Sequence, residues 1–137
     1  MRRFVEAMLV VAIVIDVAYW TVWFTDRDVL ASEHREAYYE FENAFLLADL
    51  WLGVACVAAL VTLRRRSPMA LFWILCAGSA GLYLFGMDFL YDVEHGIFTA
   101  GAGGAVEAVI VALTLAFSLV ALRFGWSRRE DLLAGRA

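Results

Sequence analysis

The chain has 137 residues, 64% of them hydrophobic and 15% aromatic, with one proline, a mean hydropathy of +0.74 and a net charge of −4. That is far more apolar than a soluble domain of this size requires, and it leaves too little polar chain for a separate water-soluble domain. No basic surface suited to nucleic acid is expected, and the two cysteines form no CxxC motif.

A helix crossing the hydrocarbon core needs about 20 mostly apolar residues. Four stretches qualify, near 4–24, 43–63, 69–91 and 100–124. The expected fold is an all-α integral membrane protein, one four-helix bundle over 1–137 with an outer loop at 25–42 and a tail at 125–137. The first stretch follows MRRF as a secretory signal would. It ends in TVWFTDRD, however, with no small-residue cleavage site, and is read as a retained helix.

Arginine placement orients the chain. Arg2 and Arg3 precede the first helix, Arg64, Arg65 and Arg66 join the second to the third, and Arg123, Arg128, Arg129 and Arg136 follow the fourth. The opposite side carries only Arg27 and Arg35, among acids. The positive-inside rule then places both termini in the cytoplasm of a multi-pass plasma-membrane protein. Arginine without lysine, amid abundant Ala, Gly and Val, points to a GC-rich bacterial genome.

Helix one carries Asp16 in apolar surroundings and finishes with Tyr19, Trp20, Trp23 and Phe24. The second half of the loop TDRDVLASEHREAYYEFE holds good helix formers and is expected to wind into helix two. Ser32 is the expected cap, with Glu33 and Glu36 at the positive end of the dipole. Pro68 suits the first turn of helix three, Gly96 its end, and TAGAGGA opens helix four. The last dozen residues are expected to form a short interfacial or disordered tail.

Depth brings the acids together. Asp16 lies about 18 Å into helix one, roughly 12 Å below the outer edge, while Asp49 and Glu107 lie about 9 and 10 Å below that edge. Asp88 falls a few residues before the outer end of helix three, so every helix supplies a carboxyl group to the outer half. Faces agree with depths at helical spacing. Asp16 shares a stripe with Tyr19, Trp20, Trp23 and Arg27. Arg35, Tyr38, Glu42, Asp49, Gly53 and Cys56 form a second, Gly81, Asp88, Asp92 and His95 a third, and Gly103, Glu107, Thr114 and Ser118 a fourth.

A carboxylate facing lipid is costly, so these stripes are expected to face the interior as an acidic and aromatic pocket open to the outside. Crowding is expected to keep part of the set protonated. The plainer alternative is that the acids pair with Arg27, Arg35 or one another, or hydrogen bond to Tyr and Thr. Cys56 and Cys76 read as packing residues. GAGG lacks the strand and the Gly-Lys of a phosphate loop, and reads as a place of close helix approach.

Four uses of such a site stay open. The first is binding of a lipophilic or cationic small molecule, with acid–base chemistry on a terpenoid or sterol-like lipid as an extension. Asp49 and Glu107 would be the acid/base pair and Asp16 the charge stabiliser, while Tyr19, Trp20, Trp23, Glu42, Asp88, Asp92 and His95 contact the ligand. In helix count and in acids set among aromatics the layout resembles the EXPERA group of sterol isomerases and lipid-binding receptors, and no residue role is carried across. The second is proton-coupled export, since an acid in helix one beside aromatics is similar to small multidrug exporters, which work as dimers. The third is a divalent ion held by carboxylates with His95 or His34. The fourth is a structural subunit of a membrane complex. The reading adopted is the first, with membrane lipid or a lipophilic molecule as partner, a homodimer as an alternative, and no cofactor or metal assigned.

Overall fold

A computed structural model describes residues 1–31 and 34–136. Helix α1 spans Arg2–Asp26, α2 Glu36–Arg64, α3 Met69–His95 and α4 Gly101–Ser127, with a short α5 at Arg129–Leu133. Single 3-10 turns at Arg27–Val29 and Ile97–Thr99 follow α1 and α3. At 1.5 Å per residue, helices of 25 to 29 residues reach roughly 37 to 43 Å, more than the ~30 Å of bilayer hydrocarbon. All four are long and apolar enough to span a membrane.

The connections explain the boundaries. Helix α2 begins at Glu36 with Arg35 in the N-cap position and no side-chain cap; Ser32 and Glu33, the expected cap and first-turn acid, lie outside the described residues. The turn after α1 is clasped by Tyr39, which donates to Asp28, meets His34 at 3.1 Å and lies beneath the Arg27 guanidinium at 4.1 Å. Pro68 precedes α3, where its fixed φ suits a helix start. Gly96 ends α3 in the left-handed region, at φ 66, and its amide returns to the Asp92 carbonyl.

The end of the chain differs from the expected tail. Helix α4 runs on to Ser127, and α5 then folds back so that Leu132 is buried with Leu63 and Ala70 beside the α2–α3 turn. A side chain at Gly135 would collide with the Arg66 carbonyl, so the tail crosses that turn at backbone contact. The last turn is therefore sealed by the chain itself. The same end holds the ion pairs of Arg2 and Arg64 to Glu6.

Helix α1 packs on α2, α2 on α3 and α3 on α4, whereas α1 and α4 touch only sparingly. Two cores result. At the arginine end, small residues (Ala55, Ala59, Ala70, Ala77, Ala121) let the backbones approach, with Val5, Leu9, Ile74 and Phe124 filling between them. Lipid tails are as apolar as leucine, so close packing rather than escape from water holds helices together there. Gly78 and Gly81 on α3 admit Leu122 and the Ser118 hydroxyl of α4. Cys56 is buried in this core, Cys76 packs against it, and both are free thiols. At the other end the core is aromatic, built on Trp20, Trp23, Tyr38, Phe45 and Leu84.

Candidate functional site

Helices α1 and α2 meet at the acidic end through a ladder of polar pairs. Tyr19 donates to Glu42 Oε2 at 2.7 Å, Trp20 Nε1 to Asp49 Oδ2 at 3.1 Å, and Trp23 Nε1 to Asn43 Oδ1 at 3.0 Å. Tyr38 adds a second hydroxyl bond to Glu42. The donors recur every three or four residues on α1 because the helical period puts positions 19, 20 and 23 on one face. Asp16, one turn nearer the arginine end, is half-buried and rests on Gly53 of α2, with its Oδ2 2.5 Å from where a Cβ would stand.

The carboxyls face one another. Asp49 lies in electrostatic reach of Asp16 and Glu42. Asp88 interacts with Glu42, Glu107, Asp92 and Asp49, so α3 supplies the group that the others share. Glu107 on α4 is half-buried and also reaches Tyr19. The expected acid/base pair of Asp49 and Glu107 thus has Asp88 in electrostatic contact with both partners. Asp92, only 4% exposed, is near Glu42, and its Oδ2 has no hydrogen-bond partner among the described residues.

His95 stands at the exposed end of α3, where its Nδ1–H donates to the Tyr91 carbonyl at 2.9 Å and its ring stacks on Tyr91 at 4.0 Å. Tyr91 in turn stacks on Phe41 at 3.9 Å, which ties α3 to α2. The rim is therefore an aromatic stack with a histidine on top. Among the described residues no three His, Cys, Asp or Glu side chains converge to hold a metal ion.

Arg2 and Arg64 pair with Glu6, Arg128 and Arg136 with Asp131, Arg129 with Glu130 and His34 with Asp28. Arg27, which shares the Asp16 stripe in the sequence, is exposed and sits on the Tyr39 ring instead. The hydrogen-bonding alternative holds in part, since Glu42 and Asp49 have Tyr and Trp donors, but Asp92 Oδ2 is left without one.

Tyr38, expected on the inward-facing acidic stripe of α2, is almost fully buried beside Trp23. Other contributors escape sequence reading. Asn43 reads as the start of a span, and only the partner indole identifies it as an acceptor. On α4, Gly104 rather than Gly103 faces inward, against the Ile97 carbonyl of the 3-10 turn before the helix.

A cavity of about 320 Å³ lies beside the acidic–aromatic core, between α2 and α3, lined by Ala48, Trp51, Cys76, Ser79, Ala80, Tyr83 and Leu84. Comparison of the chain with protein-family models, with curated proteins and with solved structures finds no match in any of the three.

Proposed function

We propose that the protein is a plasma-membrane protein with both termini cytoplasmic, whose acidic end binds a small lipophilic organic cation, such as an amphiphilic amine, from the outer half of the bilayer. The observation that carries this reading is the buried Oδ2 of Asp92, which has no hydrogen-bond partner among the described residues, beside a set of carboxyls that interact with one another. Charges of one sign taken out of water are costly unless they are protonated or paired, and acids within membrane helices mark ion or substrate sites. Tyr19, Trp20 and Tyr38 supply aromatic rings beside the carboxyls, and a desolvated organic cation gains about 2 kcal/mol from the face of such a ring. A strongly hydrated metal ion needs three or more converging ligands, which the described residues do not offer.

Native mass spectrometry of protein released from its own membrane tests this, beside Asp92→Asn and Glu42→Gln variants. An organic adduct on the wild type that both substitutions reduce is the expected result. A metal-sized adduct, or an organic one indifferent to both substitutions, overturns it.

A further inference from the structure

We infer that the cavity between α2 and α3 seats the alkyl tail of an amphiphilic cation whose head lies among the carboxyls, so that the ligand enters sideways from the bilayer. This rests on the proposed cation site and adds an entry path and a substrate class to it. Two residues, Ala48 and Leu84, belong both to the cavity wall and to the aromatic core around Trp20 and Phe45. Each leads directly to a carboxyl. Asp49 follows Ala48 in the chain, and Asp88 lies one turn, about 6 Å, beyond Leu84 along α3.

The remaining wall is mostly apolar: Ala80, beside Cys76 and Ser79, is too small to fill the space, while Trp51 and Tyr83 stand at its mouth, with Tyr83 66% exposed toward the surroundings of the bundle. The cavity falls near the middle of two membrane-long helices, at the level of acyl chains rather than headgroups. A tail placed there gains nothing over lipid, which is equally apolar. Its consequence is steric: the head reaches the carboxyls while the hydrocarbon stays among acyl chains and out of water.

The test uses the full chain in lipid nanodiscs, with empty nanodiscs subtracted, and titrates dodecyltrimethylammonium and ethyltrimethylammonium against wild type and Ala80→Trp. The plug is expected to weaken the long-chain probe by about tenfold, the scale of one overpacked contact, and to leave the short probe unchanged. Retained binding of the short probe also reports that the variant is folded, and Ala80→Leu is expected to give a smaller loss in the same direction. Equal binding of the long probe to all three proteins overturns the tail site while the cation site stands. So does a loss of both probes in Ala80→Trp with neither affected in Ala80→Leu. Failure of either probe to bind wild type above empty nanodiscs overturns the cation site, and the tail site with it.

Discussion

Asp16 of α1 rests against Gly53 of α2: its carboxyl oxygen occupies the place where any side chain at 53 would begin. An acid within an apolar helix is accommodated here by removing the facing Cβ. Gly53→Ala is expected to destabilise the fold by about 1–3 kcal/mol, as overpacking does. Pairing it with Asp16→Ala should restore much of that loss, because the added methyl then meets empty space. Reversible unfolding in mixed micelles measures both; additive losses would contradict the contact.

The Tyr19–Glu42 bond is the middle rung of the α1–α2 ladder, at 2.7 Å. Interhelical bonds in membranes contribute about 0.6 kcal/mol on average and up to ~1.7. Tyr19→Phe should cost an amount in that range, and a double-mutant cycle with Glu42→Gln should return a coupling of similar size. A coupling indistinguishable from zero would mean that Glu42 finds an equivalent donor, for which Tyr38 is the obvious candidate.

Glycines on these helices are not equivalent. A Cβ at Gly104 would strike the Ile97 carbonyl, a backbone atom of the turn before α4, whereas one at Gly86 meets nothing within 4 Å. Gly104→Ala is expected to lose about 1–3 kcal/mol. Gly86→Ala is expected to be neutral or to stabilise by about 0.5–1 kcal/mol, through reduced backbone freedom. Parallel unfolding curves of the two variants check the contrast, and a reversal of their order would sink it.

That contrast also marks where sequence reading stops. Four membrane-length helices and the gathering of acids at one end follow from hydropathy and from the 1.5 Å rise, which depend on local sequence alone. The choice between Gly103 and Gly104 shows in the Ile97 carbonyl, which the turn at 97–99 lays against Gly104, a tertiary contact that no period reveals. Asn43 is similar: its role as acceptor exists only because Trp23 faces it. The cavity between α2 and α3 is tertiary in the same sense: it forms from residues of two helices that no stripe brings together, with Ala48 and Leu84 shared between its wall and the aromatic core.

Leu132 anchors α5 against the base of the bundle, 2% exposed among Leu63, Ala70 and Phe124. Leu132→Ala is expected to cost about 2 kcal/mol, the low end for a buried leucine near a chain terminus that can relax. Its effect should be local, exposing residues 128–136 to limited proteolysis while the four long helices keep their protection. Unaltered cleavage of the tail would show that the Gly135 contact with Arg66, not Leu132, holds it down.

Orientation follows from where the cations end up. Arg64, Arg65 and Arg66 lie together at the α2–α3 turn, at the same end as Arg2 and the α5 tail. The other end carries Asp26, Asp28, Glu36, Glu40 and Glu94 with Arg27 and Arg35. Since Lys and Arg near helix ends resist translocation, the arginine end is expected in the cytoplasm. With Cys56 and Cys76 replaced by Ala, a single Leu30→Cys thiol should react with a membrane-impermeant maleimide in intact cells. A single Ser67→Cys should react only after permeabilisation. The opposite labelling pattern would invert the protein in its membrane and move the proposed cation site to the cytoplasmic half.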